Sequence, residues 1–130
     1  MAPGLLPGDR LLVERRAAAA GDVVVVNDPR DTRMEFLKRI VGLPGDRVAF
    51  EDGRLLLDDA PVAEPYLRGL PQVLGLEAAE WSLGEAEYFV LGDNRAHTTD
   101  SRTFGPVDAA RIVGRAWFRY WPLSKVGPVR

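Results

Sequence analysis

Apolar residues along the chain fall in short runs of strand length, and nearly every run is bounded by Gly, Pro or Asp. The pattern predicts strands rather than helices. "GDRLLVERR" and "GDVVVVNDP" each set a Gly-Asp turn ahead of a leucine or valine run, and "FLKRIVGLPGD", residues 36 to 46, runs as a strand into a Pro-Gly-Asp turn. "RVAFEDGRLLLDDAPV" reads as a hairpin with Asp52 and Gly53 at its tight turn and a second turn around Asp58 and Asp59. "EYFVLGDNR" is a further strand entering a polar turn, and "RIVGRAWFRYWPL" is the last strand. Glycine and proline interrupt residues 66 to 83, where a connecting loop with one short turn of helix is expected. The Gly-Asp strand entries are irregularly spaced and precede different sequences, which argues against an internal repeat. The expected fold is mainly β: one domain, residues 1–130, of short antiparallel strands joined by Gly, Pro and Asp turns.

In a strand successive side chains face opposite sides, so Phe36, Lys38 and Ile40 share one face and Leu37, Arg39 and Val41 the other. Each face then carries one cation between two hydrophobes. Spacing alone favours an edge strand with one snorkelling and one solvated cation. The chemical alternative is a partly buried Lys38 that loses its proton, because desolvation disfavours the ammonium, and acts as a base. Arg39 has no such option, since guanidinium stays charged.

A chain of 130 residues normally forms one compact domain with a hydrophobic core, and 46% hydrophobic and 28% charged residues are ordinary for a globular protein. A net charge of -2 offers no electrostatic footprint for nucleic acid, so no nucleic-acid partner is expected. The absence of cysteine removes disulfides, thiolate catalysis and cysteine-bound zinc together. With His97 as the single histidine, no metal or other cofactor is expected. No run approaches the ~18 apolar residues of a membrane span, and the amino terminus lacks a charged-then-apolar secretion signal. The chain as given is therefore expected to be soluble. Of 17 basic residues only Lys38 and Lys125 are lysine, and the serines are Ser82, Ser101 and Ser124.

The densest set of hydrogen-bonding groups is "GDNRAHTTDSR", residues 92 to 102, directly after a buried-looking strand. The plain expectation for a lone polar loop is a solvated turn, with Asp93 and Asn94 in Asx-turns, Asp100 paired to Arg102 and His97 on the surface. A Ser-His-Asp triad of Ser101, His97 and Asp100 is rejected, because triads draw their members from separate segments that meet in space.

Taken in order, the segments resemble the bacterial type I signal peptidases, membrane-anchored serine proteases that use a Ser/Lys pair. "MAPGLLPGDRLLV" is similar to the stretch after the nucleophile, where the family has Ser-Met-x-Pro-Thr-Leu and then Gly-Asp. "GDVVVVNDP" resembles the next strand, "LKRIVGLPGDRV" the strand bearing the general-base lysine, "GDNRAHTTDSR" the last signature and "IVGRAWFRYWPL" the closing strand. Any one of these is weak; together and in order they are specific. The resemblance implies the fold shared by signal peptidases and self-cleaving repressor-type Ser/Lys proteases. It implies Lys38 as the general base and Thr98 at the position of the serine that hydrogen-bonds and orients that lysine. Asp100 and Arg102 match an ion pair that braces the loop, and Gly92, Asp93, Asn94 and Arg95 match its structural core.

A lysine that abstracts a proton at neutral pH must fall from a reference pKa of ~10.4 to about 7 to 8, a differential cost of roughly 4 kcal/mol. Apolar neighbours such as Phe36 and Ile40 can supply that desolvation. The neutral amine then takes the serine hydroxyl proton, the alkoxide attacks the scissile carbonyl, and the ammonium protonates the leaving amine. By resemblance the substrates are signal peptides of secreted preproteins, cut after small residues in an Ala-x-Ala pattern. The full-length protein is placed on the cytoplasmic membrane with this domain on the extracytoplasmic face, in contact with the membrane surface.

The sequence departs from the family pattern at its amino end. Aligning Met1, Pro3 and Leu5 with Met-x-Pro-Thr-Leu puts the nucleophilic serine immediately before Met1, outside the chain, and Gly4 stands for the threonine. The fragment alone is therefore expected to be inactive, and none of Ser82, Ser101 and Ser124 is expected to replace the nucleophile. The alternatives are a homologue that binds extended peptides by strand addition without cutting, and a relative of the self-cleaving repressor proteases. "GDNRAHTTDSR" and the lack of a DNA-binding segment count against the second. Trp117, Phe118, Tyr120 and Trp121 are read as an interfacial aromatic belt, with about half of them filling the core.

Overall fold

The short apolar runs become strands wherever alternation gives them one face to bury. A computed structural model of the protein describes residues 1–2, 4–15, 18–71 and 79–130. In chain order the strands are β1 (Arg10–Glu14), β2 (Val23–Asp28), β3 (Asp31–Gly42), β4 (Arg47–Glu51), β5 (Arg54–Leu57) and β6 (Ala60–Pro61). After these come β7 (Ala79–Ser82), β8 (Glu87–Leu91), β9 (Val107–Asp108), β10 (Ile112–Trp121) and β11 (Gly127–Pro128). A single helical turn, α1 (Ser101–Phe104), follows β8, and Pro65–Leu67 forms a 3-10 turn.

Two antiparallel sheets result. The larger has the order β1-β10-β2-β3-β8-β9, with β11 added alongside β10; the smaller runs β6-β5-β4-β7. The hairpins of the smaller sheet turn where expected. Asp52 and Gly53 between β4 and β5, and Asp58 and Asp59 between β5 and β6, all have positive φ, as two-residue turns that match strand twist require.

Two expectations are corrected. Residues 79–82 are a strand paired with β4, not loop, because Ala79 and Trp81 alternate with exposed Glu80 and Ser82 and fit the pleat. The helical turn expected in that stretch lies at Pro65–Leu67, and positions 72–78 fall outside the described residues. Second, β3 is no edge strand: it lies between β2 and β8, pairing Lys38 with Val24 and Arg39 with both Val23 and Leu91. Both cations are consequently buried, Lys38 to 9% and Arg39 to 3% exposure. The edge inference failed because it took a charged residue as a sign of solvent, whereas each charge here has found a partner.

Strand alternation divides the core in two. Val41, Phe89 and Leu91 point from the large sheet to meet Val48, Phe50, Leu55 and Leu83, so the smaller sheet covers that face. Phe50, Trp81 and Phe89 pack there as a triangle of tilted and edge-on rings. Ile40, Val90, Val24, Val26 and Val107 form the second cluster, closed by Phe104, Tyr88 and Ile112. Lys38 pairs across to Val24 of this second cluster and is flanked on its own strand by Phe36 and Ile40. The exposed apolar residues gather elsewhere. Leu12, Val13, Trp117, Tyr120, Trp121 and Leu123 lie on and beside β1 and β10, so fewer of the carboxyl-end aromatics fill the core than expected. Among the described residues no helix is long and apolar enough to cross a membrane.

Candidate active site

Lys38 is buried to 9% exposure, yet it lines a cleft. Strand β3 carries it past the aromatic ring of Phe36, 5.3 Å from the nitrogen, and Lys38 Nζ donates to Thr98 Oγ1 at 2.8 Å. Burial pushes the amine below its ordinary value; the charge of Asp100 opposes this and that of Arg102 adds to it. The amine opens on a cleft of about 230 Å³ lined by Met1, Arg30, Phe36, Gly92, Asn94, His97, Thr98 and Thr99. No serine lines it among the described residues.

The loop that presents Thr98 is held from several sides. Asp100 is fully buried and caps α1, accepting from Arg102 N at 3.1 Å, from Gly92 N at 3.1 Å and from the Arg102 side chain at 3.0 and 2.9 Å. Ser101 is also fully buried and accepts from Val90 N at 2.9 Å, which ties the helical turn to β8. Gly92 matters through what it lacks, since a Cβ there would overlap the Thr98 hydroxyl and its Cβ. Thr98 can lie over the strand end, within reach of Lys38, only because residue 92 has no side chain.

Arg39 serves the opposite face. Its guanidinium forms a two-pronged pair with Asp93, at 2.9 and 2.8 Å, and donates to the main-chain oxygens of Gly21 and Arg130. The Tyr66 ring lies 4.0 Å from it. Arg95 folds back to donate to Gly92 O at 2.7 Å and pairs with Glu64 at 2.6 Å. Asn94 and His97 line the cleft, His97 exposed at its rim. The structure therefore gathers Lys38, Thr98, Gly92 and Asn94 around one cleft, while Asp100 with Arg102, Asp93 and Arg95 brace the loop from behind. Among the described residues no group of three His, Asp or Glu side chains converges as a metal site would require.

The sequence profile of the signal peptidase family, peptidase S26, matches residues 1–121. The chain belongs to the signal peptidase family. Its members are serine endopeptidases that act on the signal peptides of secreted preproteins. Among similar proteins, signal peptidase I of Bacillus caldolyticus is 36% identical over 96% of this chain and 76% of its own length. A probable signal peptidase I-2 of Synechocystis is 34% identical over 98% of this chain and 62% of its own. The crystal structure of a signal peptidase I from Enterococcus faecalis superposes with a TM-score of 0.67 at 28% identity, covering 78% of this chain and 98% of that one. The mainly β, antiparallel architecture is thus that of the signal peptidase family.

Glu64, Tyr66 and Arg30 belong to this neighbourhood and were not singled out from the sequence. Glu64 and Tyr66 flank a proline in a stretch with no periodicity, and Arg30 sits in a hairpin turn. Neither setting carries a signal that points to a site.

The buried amine has a consequence for stability. Below its lowered folded-state pKa, the folded protein bears the full penalty of an ammonium out of water. Between that value and 10.5 the unfolded chain holds a proton that the folded one has released, so stability rises with pH through the window. In Lys38→Met this rise is expected to disappear. Urea midpoints measured across the alkaline range in both proteins check it, and equal slopes would mean that the amine is solvated.

Proposed function

We propose that this chain is the catalytic domain of a signal peptidase in which Lys38 is the general base and the nucleophile is a serine joined to Met1. The observation that carries the reading is the desolvated Lys38 amine, bonded to Thr98 at 2.8 Å and opening on a cleft that Met1 also lines. In its neutral form the amine takes the proton from the serine hydroxyl. The oxygen attacks the scissile carbonyl, and the proton passes from Lys38 to the leaving amine as the peptide bond breaks. Water, activated by the same amine, then hydrolyses the acyl-enzyme. Thr98 holds the lysine nitrogen toward the cleft, and the Asp100–Arg102 pair holds the loop that carries Thr98 through Gly92 N and Arg95 O.

An apolar hollow of about 400 Å³ adjoins the cleft and shares Met1 with it; Ala2, Leu5, Leu6, Leu11 and Leu37 also line it. Its walls suit small apolar side chains, which supports cleavage after an Ala-x-Ala pattern. The exposed Trp117, Tyr120, Trp121 and Leu123 support contact with a membrane surface, and membership of the signal peptidase family supports a place on the extracytoplasmic face of the cytoplasmic membrane.

The test is cleavage by the chain carrying serine and its upstream segment before Met1. Offered a peptide with a single Ala-x-Ala site, it is expected to cut once, directly after the second alanine, as read by mass spectrometry. Saturable binding with no cut would favour the peptide-binding alternative.

A further inference from the structure

Resting on Lys38 as the base, we propose that Glu64 is a positioning residue: through Arg95 it holds the loop that presents Thr98 to Lys38. Glu64 lies far from the polar loop in sequence and belongs to neither sheet. It precedes the 3-10 turn Pro65–Leu67, whose Leu67 is anchored in the interior. From there its carboxylate is buried to 1% exposure against an Arg95 side chain at 0%. A pair so completely removed from water is expensive to bury, and its worth lies in the single arrangement it enforces more than in stability.

That arrangement is specific. The two terminal nitrogens of Arg95 reach the two oxygens of Glu64, at 3.3 and 2.6 Å, while Arg95 Nε holds Gly92 O at 2.7 Å. The guanidinium is thus stretched between Glu64 and the residue on which Thr98 packs. The Arg95 carbonyl accepts from Arg102 at 2.9 Å, joining this brace to the Asp100 cap. The Tyr66 hydroxyl donates to the Glu64 carboxylate, and its ring stacks on Arg39, the neighbour of Lys38. Burial, reinforced by that hydrogen bond, pushes the Tyr66 phenol up, so the hydroxyl stays a donor. Glu64 therefore ends a run of contacts that passes through Arg95, Gly92 and Thr98 to the amine.

The chain contains only two lysines, which makes the test direct. With lysine labelled by 13C at Cε, the protein gives two lysine signals, and that of the exposed Lys125 is the control. In Glu64→Gln the Lys38 midpoint is expected to rise by about half a pH unit or more as water reaches the amine, and the nuclear Overhauser contact between Lys38 and the Thr98 methyl is expected to weaken. The charged and titratable groups near the amine, Asp100, Arg102, Arg30, His97 and the Met1 amino group, are untouched by the change. Loss of a nearby carboxylate acting directly would move the midpoint down, so a rise reports an opened loop. Tyr66→Phe removes only the bond to Glu64 and is expected to move both readouts the same way by less, which keeps the test available should Glu64→Gln fail to fold. A lowered melting temperature with the midpoint and the Thr98 contact unchanged would overturn the proposal and leave Glu64 as a purely structural ion. A parent Lys38 that titrates at its ordinary value is a different result, and would overturn the base assignment itself.

Discussion

Lys38→Ala, made in the protein that carries serine before Met1, is expected to lower kcat/KM by about 10³- to 10⁴-fold. A serine hydroxyl loses its proton to water far too rarely at neutral pH to act unaided, and within the cleft no other side chain presents a neutral amine. His97 lies exposed at the rim of the cleft. Lys38→Arg is expected to fail as badly, although it keeps a long basic side chain, because a guanidinium stays charged and cannot accept a proton. Steady-state cleavage of a signal-peptide substrate checks both variants. Activity of either within tenfold of the parent would remove Lys38 from the proton transfer.

On the opposite face of the same strand, Asp93→Ala is expected to destabilise the fold by about 3 to 5 kcal/mol, because it strands a buried guanidinium. Arg39 and Asp93 are each 4% exposed at the side chain, so water cannot replace the lost carboxylate. Removing both charges is a different matter. Arg39→Met with Asp93→Leu fills similar volume with apolar atoms and is expected to recover most of the loss, since an apolar pair avoids the desolvation that an ion pair must offset. Urea unfolding of the single and double variants separates the two cases. A loss under about 1 kcal/mol in Asp93→Ala would mean that the main-chain oxygens of Gly21 and Arg130 and the Tyr66 ring satisfy Arg39 by themselves.

Strand positions were legible where alternation was clear and turns carried their own chemistry, as at Asp52-Gly53. The short β7 was not, because its four residues follow a run broken by glycine and proline, and only its partner β4 gives it a reason to be extended. The two cations of β3 were legible as unusual but not as buried. Burial there depends on β8 covering the strand and on Thr98 and Asp93 arriving from about 60 and 54 positions away, information that no local window contains. The polar loop could be found by its density of hydrogen-bonding groups alone, yet its brace could not: Glu64 reads as an isolated acid before a proline. Long-range ion pairs leave no periodic trace, and for that reason the supporting half of the candidate site emerged only in three dimensions.

The Lys38–Arg39 step on β3 also makes the chemistry a matter of parity. From Asn27 opposite Glu35 to Val23 opposite Arg39 the pairing with β2 is unbroken, whereas the register shifts between Asn27 and Asp28 at the hairpin tip. Within the unbroken stretch the side to which each residue points follows from its count alone. Deleting one uncharged residue there, such as Leu37, would keep both cations yet turn a guanidinium toward the cleft and the amine to the opposite face, exchanging a proton acceptor for a permanent cation. Length changes inside that stretch are therefore compatible with the chemistry only in steps of two, while the irregular tip can absorb a change outside it.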